Sequence, residues 1–446
     1  MERYDQARTI ALVLLKPVGT PTPEIIREKV KLACSAMGAQ DGEIDIDKLC
    51  LDIETSLTVW VGSASTLDAD DEDHRDWLSP TMQVLSDSRT QPEWAFWKRY
   101  AQFLFEVKKW PEGVTTSIDR STTDVLRRLE DPTRPGSWDR RGMVVGHVQS
   151  GKTAHILGLI SKGVDAGYKL IVVLTGMHNN LRAQTQFRLD EEFLGFDTDK
   201  GLTFDAATTR IGVGTLPGKP LRVHSLTSSN ERGDFNTHIA KTVGVIPGGD
   251  PILLVVKKHA GVLRNLAAWA RSVVAGNDGV IRDIPLLLVD DECDQASINT
   301  KPLDMDDPDY DVTAINAGIR RLLKSFAQKA YVGHTATPFA TIFIPPDHDH
   351  ETLLEDLFPR SFIVSLDPPS DYIGPTEVFG LDADPDVGIE GGSGQPVVRH
   401  LDDHQAWIPD RHTKVHVLPD TPRLPPSLTT AIRAFVLACA ARPQRG

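Results

Sequence analysis

The feature that most constrains this chain is a glycine-rich stretch, Gly146 to Thr153, set between an apolar segment and a helical pattern. It has the spacing G-x-x-x-x-G-K-[ST], in which Gly151 and Lys152 precede the final threonine. The apolar segment ends at Val145, and apolar residues recur at helical spacing after Thr153. Glycines let successive backbone N–H groups face a phosphate, and the helix adds its positive N-terminal end. The stretch therefore predicts a phosphate-binding loop at a strand-to-helix turn.

The loop predicts ATP and Mg²⁺ as cofactors. Lys152 is expected to reach the β- and γ-phosphates, and the Thr153 hydroxyl is expected to hold Mg²⁺. An ordinary glycine turn is the alternative, which the flanking strand and helix disfavour. The residues expected to bind the nucleotide are Gly146, Gln149, Ser150, Gly151, Lys152 and Thr153.

The composition sets the class of protein. A chain of 446 residues with 40% hydrophobic and 25% charged residues is typical of a soluble globular protein of two or three domains. Its four cysteines lack C-x-x-C spacing, which favours reduced thiols and predicts no zinc site. The N-terminus lacks a signal-like pattern and no apolar run is long enough to span a membrane, so we expect a cytoplasmic protein. The net charge of −14 argues against a surface that coats nucleic acid as a whole.

The chain is expected to comprise three regions. Residues 1–130 show helical patterns, and a linker rich in proline and glycine follows at 131–136. Residues 131–345 alternate short apolar strands with amphipathic helices, which predicts an α/β domain with a parallel sheet. Residues 346–446 form an irregular connector followed by a helical pattern over 426–442. The strands expected after the loop are 170–174, 222–226 (a weak pattern), 252–256, 286–290 and 330–333.

A second motif follows the apolar strand at 286–290. It continues into Asp291, Glu292 and, two residues on, Asp294. We assign Asp291 to the Mg²⁺ shell and Glu292 to orienting and polarising the attacking water. Asp290 offers an alternative register, and acidic residues after a strand can also be merely solvated.

A third motif, Tyr331 to Ala340, follows the strand expected at 330–333. The hydroxyls of Thr335 and Thr337 could sense the γ-phosphate through the adjacent acidic turn at Asp294 and pass its state to a neighbouring lobe. Without the other two motifs this would be an unremarkable turn.

Together, Gly-Lys-Thr, Asp-Glu-x-Asp and Thr-Ala-Thr resemble motifs I, II and III of superfamily-two helicases and translocases. The chain more narrowly resembles the Z-one domain family, described as helicase-like or as a putative endonuclease and associated with bacterial defence against phage. The resemblance covers about two-thirds of the chain. It is carried by segments 141–153, 165–168, 181–189, 255–258, 290–297 and 356–359.

The resemblance implies a RecA-like domain in an ATP-dependent motor that acts on nucleic acid. Such motors have a second RecA-like lobe, which supplies an arginine to the γ-phosphate. That lobe is expected to be missing here, either because the sequence is truncated or because the lobe comes from elsewhere. DNA bound without sequence preference is the expected partner, and other defence-system proteins could also take part.

Two stretches could contact a nucleic-acid strand. Both follow expected strands, where motors of this class place contacts to the phosphate backbone, and neither has a base-reading code. Capping and solvated side chains are the alternative for both stretches. The candidate residues are Asn180, Arg182, Gln184, Lys257 and Lys258.

Two other functions remain open. A nucleotide-gated assembly protein would carry the same nucleotide site without moving along DNA. A nuclease subunit would need paired acidic residues and a lysine on short strands, and the best match is Glu93 with Glu106 and Lys108. That match falls within an aromatic pattern of helical spacing, which disfavours a nuclease.

Overall fold

The computed structural model describes most of the chain up to residue 366 and parts of the remainder. The described ranges are 2–15, 23–38, 65–68, 74–79, 92–146, 151–298, 313–338, 349–350, 354–366, 378–381, 392–393, most of 401–413, and 424–441, with single residues at 44, 46, 49, 50, 53 and 344. The chain divides into two compact units, residues 1–371 and residues 372–446. It is not divided near residues 130 or 345, where the sequence pattern suggested boundaries.

The first unit is an α/β structure built on an eight-stranded, mostly parallel sheet. The strands of this sheet are β1 (Ser65–Asp68), β2 (Trp138–Val145), β3 (Leu170–Thr175), β4 (His224–Ser225), β5 (Ile252–Lys257), β6 (Leu286–Asp291), β7 (Gln328–Thr335) and β10 (Phe362–Ser365). Their order across the sheet is β1-β10-β2-β7-β6-β3-β5-β4, and β1 alone runs antiparallel to its neighbour. Two short strands, β8 (Asp349–His350) and β9 (Leu354–Glu355), pair separately.

The prediction of an α/β fold with a parallel sheet is confirmed. Each expected strand is present, and most are longer than expected because the polar residues at their ends also pair with neighbours. The weak pattern at 222–226 shrinks to the two residues of β4 at the sheet edge. The sequence patterns did not indicate β1 or β10.

The helices of this unit are α1 (Glu2–Leu15), α2 (Pro23–Ala36), α3 (Ala95–Glu106), α4 (Glu112–Leu126), α5 (Lys152–Ala166), α6 (Asn179–Leu189), α7 (Thr237–Val243), α8 (Ala260–Val274) and α9 (Ala314–Lys324). Helices from α3 onwards cover the two faces of the sheet. Alternate residues of each central strand face two separate cores: Ile171 and Val173 pack with α3, α4 and α5, whereas Val172 and Leu174 pack with α7, α8 and α9. A short π-helical extension of five residues, Asp190–Leu194, follows α6.

Helices α3 and α4 belong to the core of the sheet. Trp97 and Leu126 are buried in the cluster that contains α5, and Asp165 at the end of α5 accepts the backbone N–H groups of Phe96 and Trp97 at 3.0 and 2.9 Å. Helix α4 begins at Glu112, directly after Pro111, whose backbone (φ −58°, ψ 145°) is not helical. Helices α1 and α2 have a separate apolar cluster with Ile44, Leu49, Cys50 and Ile53.

In the second unit, the described residues form the antiparallel pair β11 (Gly380–Leu381) and β12 (Gly392–Ser393), and α10 (Pro426–Ala441). Asp403 accepts the backbone N–H and the hydroxyl of Ser427 in the first turn of α10. Within the portions of residues 372–446 that the structure describes, there is no second parallel sheet. Across all described residues, no helix is both long and apolar enough to cross a membrane.

Strand β10 packs on β2 through a close contact at Gly142. Gly142 pairs with Phe362, and a Cβ atom placed on Gly142 would lie 2.0–2.4 Å from the Phe362 ring. The ring is buried, so it cannot move aside without opening the core. Glycine is therefore required here by the space that the aromatic side chain takes.

We expect Gly142→Ala to lower the free energy of unfolding by about 1–3 kcal/mol, the usual cost of overpacking a core. Urea denaturation measures the change. Gly249→Ala is the control, because a Cβ there meets nothing within 4 Å, and it should change stability little. The double variant Gly142→Ala/Phe362→Leu, in which a smaller side chain replaces the ring, should recover part of the lost stability. Equal stability of the two single variants would contradict the steric explanation.

Candidate nucleotide site and acidic turn

The predicted phosphate-binding loop joins β2 to α5. Gly146 continues β2, and its N–H donates to the Thr335 carbonyl oxygen at 2.9 Å. Gly151 has φ +80°, a left-handed conformation that favours glycine, and a Cβ there would meet nothing within 4 Å. Helix α5 begins at Lys152, and no side chain among the described residues caps it. Gln149 and Ser150 lie outside the described residues.

Lys152 and Thr153 lie in the first turn of α5. The Lys152 Nζ atom is 3.5 Å from the carbonyl oxygen of Gly146, so the side chain folds back over the loop. The Thr153 hydroxyl accepts a hydrogen bond of 3.2 Å from the Arg188 guanidinium in α6. Both predicted nucleotide ligands are half-buried and therefore reachable from solvent.

The acidic turn follows β6. Asp291 is half-buried, and its pKa is raised to about 6, mainly by burial and also by the negative charge of Glu292, although the positive charges of Lys258 and Lys152 oppose the rise. Glu292 is exposed and has φ +56°, a left-handed conformation unusual for a residue with a side chain.

Asp290 is not available as a ligand, so the alternative register is disfavoured and the role of Asp291 stays a prediction. Its carboxylate is fully buried, 2.8 Å from the Lys258 ammonium, and it accepts a 2.8 Å hydrogen bond from the Tyr331 hydroxyl. Burial is the main reason that the pKa of Tyr331 lies well above its ordinary value, and the Asp290 charge adds to it.

Lys258 is hydrogen-bonded to the backbone of the acidic turn. Besides Asp290, its ammonium donates to the carbonyl oxygens of Asp291, Glu292 and Gln295, at 2.9, 2.5 and 3.0 Å. The side chain is fully buried. The backbone of the turn is thus fixed by one lysine that follows β5, the second strand over from β6 in the sheet.

The third motif contacts the acidic turn through two hydroxyls. Thr335 and Thr337 each donate 2.7 Å hydrogen bonds to the Asp294 carboxylate, one to each oxygen, and the Thr337 N–H donates to the Thr335 hydroxyl. Burial raises the pKa of Asp294, but the two threonine hydroxyls outweigh it, so the pKa lies below its ordinary value. The structure thus brings Asp294, Thr335 and Thr337 together. Their role in coupling remains a prediction.

Two buried histidines connect α5 with β7. Nδ1 of His155 lies 3.2 Å from Nε2 of His334, and neither ring is exposed. Burial is the main reason that the pKa of His155 is lowered to about 4. The pKa of His334 lies well below its ordinary value, mainly because of burial and also because of His155 and the charge of Lys152. Both rings are therefore neutral at pH 7, and no sequence pattern indicated that His155 would face His334.

Two of the predicted nucleic-acid contacts are corrected by the structure. Arg182 is fully buried and donates to the carbonyl oxygens of Ser228 and Asn230, and Lys258 is buried beneath the acidic turn. Neither can reach a phosphate backbone. The remaining candidates are accessible: Asn180 and Gln184 are exposed on α6, and Lys257 is partly exposed, 2.8 Å from the Asn179 side chain.

The acidic–lysine set of a nuclease is not formed. Glu106 ends helix α3, and Lys108 pairs with Glu191 and Glu192 at 3.0 and 3.4 Å. In the described part of the chain, no group of three or more histidine, cysteine, aspartate or glutamate side chains could hold a metal ion. A magnesium ion that keeps most of its waters needs fewer protein ligands than such a group supplies.

No family model matches the chain, and the search of curated proteins finds no match either. The site is therefore interpreted from its own geometry.

The neighbouring lysines Lys257 and Lys258 provide a matched test of this geometry. We expect Lys258→Met to lower the free energy of unfolding by about 3–5 kcal/mol, because it leaves the Asp290 carboxylate buried without its cation. Lys257→Met should change stability little, because that side chain is partly exposed. Urea denaturation compares the two variants.

The double variant Lys258→Met/Asp290→Asn tests the cause. Removing the orphaned charge should recover part of the lost stability, since a neutral amide can still accept the Tyr331 hydrogen bond. Similar losses from Lys257→Met and Lys258→Met would contradict a structural role specific to Lys258.

Proposed function

We propose that this protein binds ATP with Mg²⁺ and hydrolyses it in a RecA-like domain. The observation that carries the proposal is that Lys152, at the start of α5, and the acidic turn after β6 both lie at the carboxyl edge of the sheet, at strands separated only by β7. Ligands of open parallel sheets bind at that edge.

The strand order supports this proposal. Strand β7 lies between β2 and β6, so the loop and the acidic turn are two strand spacings apart, about 9–10 Å. This separation leaves room for a phosphate group and a hydrated cation between Lys152 and Asp291. A direct β2–β6 pairing would bring the lysine and the carboxylates together as an ion pair instead.

The residues fit Mg²⁺ and a triphosphate. The Thr153 hydroxyl and the Asp291 carboxylate are oxygen donors on opposite sides of the gap, and two protein ligands suit an ion that retains several waters. Open space at Gly151 leaves its backbone accessible to phosphate oxygens. When bound, Mg²⁺ neutralises charge on the phosphate oxygens and orients them.

Each side chain then has a role in hydrolysis. Lys152 neutralises charge on the β- and γ-phosphates, and Glu292 orients a water and accepts its proton. The water oxygen forms a bond to the γ-phosphorus while the bond to the β–γ bridging oxygen breaks, and ADP keeps that electron pair. Asp294 links this centre to Thr335 and Thr337 by two hydrogen bonds of 2.7 Å.

We further propose that the hydrolysis drives a helicase-like motor that acts on DNA in the cytoplasm, as part of a bacterial anti-phage or restriction-like system. The support is the resemblance to superfamily-two helicases and the Z-one domain family, together with the arrangement of the three motifs around one gap. The exposed Asn180 and Gln184 on α6 and the partly exposed Lys257 at the end of β5 lie on one side of that edge, where a strand could bind without sequence preference.

A nucleotide-gated assembly protein would have the same site. Steady-state phosphate release with and without single- and double-stranded DNA separates the two functions. A motor whose cycle is coupled to DNA releases phosphate faster when DNA is added. An unchanged rate, together with nucleotide-dependent self-association in sedimentation experiments, would favour the assembly protein.

We expect Lys152→Ala to weaken ATP·Mg²⁺ binding about 10- to 100-fold, the effect of losing charge-assisted hydrogen bonds of about 1.5–3 kcal/mol. Isothermal titration calorimetry measures the affinity. Lys200→Ala, at an exposed position, is the control and should bind as the parent protein does. Equal affinities for the parent and Lys152→Ala would remove the basis of the proposed function.

Glu292→Gln should separate binding from hydrolysis. The amide keeps the size of the side chain but is a poor proton acceptor, so we expect ATP affinity within about twofold and single-turnover hydrolysis slower by about 10²–10⁴. Quenched-flow measurement of phosphate release determines the rate. Hydrolysis at the parental rate would assign the water-activating role to another residue.

A further inference from the structure

Arg188 is an arginine at the nucleotide site with no role in the mechanism above. It lies near the end of α6, its side chain is exposed, and its Nη1 atom is 3.2 Å from the Thr153 hydroxyl oxygen. Among the residues that the structure describes, no carboxylate oxygen lies within 4 Å of its guanidinium, although Glu192 is near enough to feel its charge. The guanidinium therefore lies beside Thr153 and forms no ion pair with a described residue.

Helix α6 is firmly fixed on its buried side. Arg182 donates to the carbonyl oxygens of Ser228 and Asn230, and Gln186 donates to Asp190 at 2.9 Å and accepts from Thr227 at 2.7 Å. Buried polar groups with satisfied hydrogen bonds hold a helix in one position. Arg188 therefore projects from a helix whose position is set in advance.

The course of α6 indicates which end of a bound nucleotide Arg188 would meet. The turn before α6 lies against the acidic turn, since a Cβ on Gly176 would be 3.9 Å from Glu292 Oε2. Its last turn reaches Thr153. The helix thus runs between the water-activating carboxylate and the magnesium-binding hydroxyl, the side of the site where the terminal phosphate belongs.

We propose that Arg188 binds the terminal phosphate of the triphosphate and makes the site discriminate ATP from ADP. This inference rests on the proposed function. When the metal and phosphates occupy the site, the guanidinium exchanges its hydrogen bond to Thr153 for bonds to γ-phosphate oxygens, whose geometry matches its planar fork. The chain thereby supplies from its own lobe a positive charge that motors of this class receive from a second lobe.

The test compares two nucleotides on four proteins. The parent, Arg188→Ala, Arg188→Lys and the control Arg264→Ala, whose residue is exposed on α8, are titrated with the β,γ-imido analogue of ATP and with ADP, both with Mg²⁺. We expect Arg188→Ala to bind the triphosphate at least about tenfold more weakly and to bind ADP within about twofold of the parent. The affinity of Arg188→Lys for the triphosphate should lie between those of Arg188→Ala and the parent, and Arg264→Ala should bind both nucleotides as the parent does.

The outcomes separate the two proposals. If the parent binds neither nucleotide, the proposed function fails and this inference fails with it. If the parent binds both and Arg188→Ala loses affinity for both equally, or for neither, Arg188 does not bind the terminal phosphate and the proposed function stands. Thermal unfolding of all four proteins shows whether a loss of affinity reflects loss of structure; should Arg188→Ala be unstable, the ratio of the two affinities in Arg188→Lys decides.

Discussion

The arrangement at the carboxyl edge of the sheet depends on one buried cation, the Lys258 ammonium. A buried charge costs several kcal/mol unless opposite charge and hydrogen bonds compensate it. Here the Asp290 carboxylate and three carbonyl oxygens do so, and Asp290 is in turn bonded to Tyr331. The end of β5, the acidic turn after β6 and the strand β7 are thereby joined through a single side chain.

This cation also explains how Glu292 keeps an unusual backbone conformation. A left-handed residue with a side chain costs about 1–2 kcal/mol. The carbonyl oxygens of Asp291, Glu292 and Gln295 all accept from Lys258, so the turn cannot relax without breaking bonds to a buried charge. In this conformation Glu292 is exposed to solvent, whereas the carboxylate of Asp294, two residues later, is held by Thr335 and Thr337.

Much of the fold was predictable because its signals are local. The apolar strands, the glycine loop and the acidic turn are each written in fewer than fifteen consecutive residues. The roles of Arg182 and Lys258 were not predictable, since their partners lie on other segments, and a lysine at a strand end resembles a surface residue. Strand β10 was missed for the same reason: the space it fills is created by Gly142, far away in the chain.

The position of β2 has a consequence for how the protein is made. Both of its neighbours, β7 and β10, come later in the chain, so the strand that carries the phosphate-binding loop has no partner in the sheet when it leaves the ribosome. Pairing across such long chain separations is slow, because the entropy of closing the loop is lost before the contacts form. A nascent chain that has not yet extruded Gln328–Thr335 holds β2 as an unpaired strand with its apolar end Met143–Val145 uncovered, exposed to aggregation and to chaperones. Nucleotide binding would then be among the last properties the newly synthesised protein acquires.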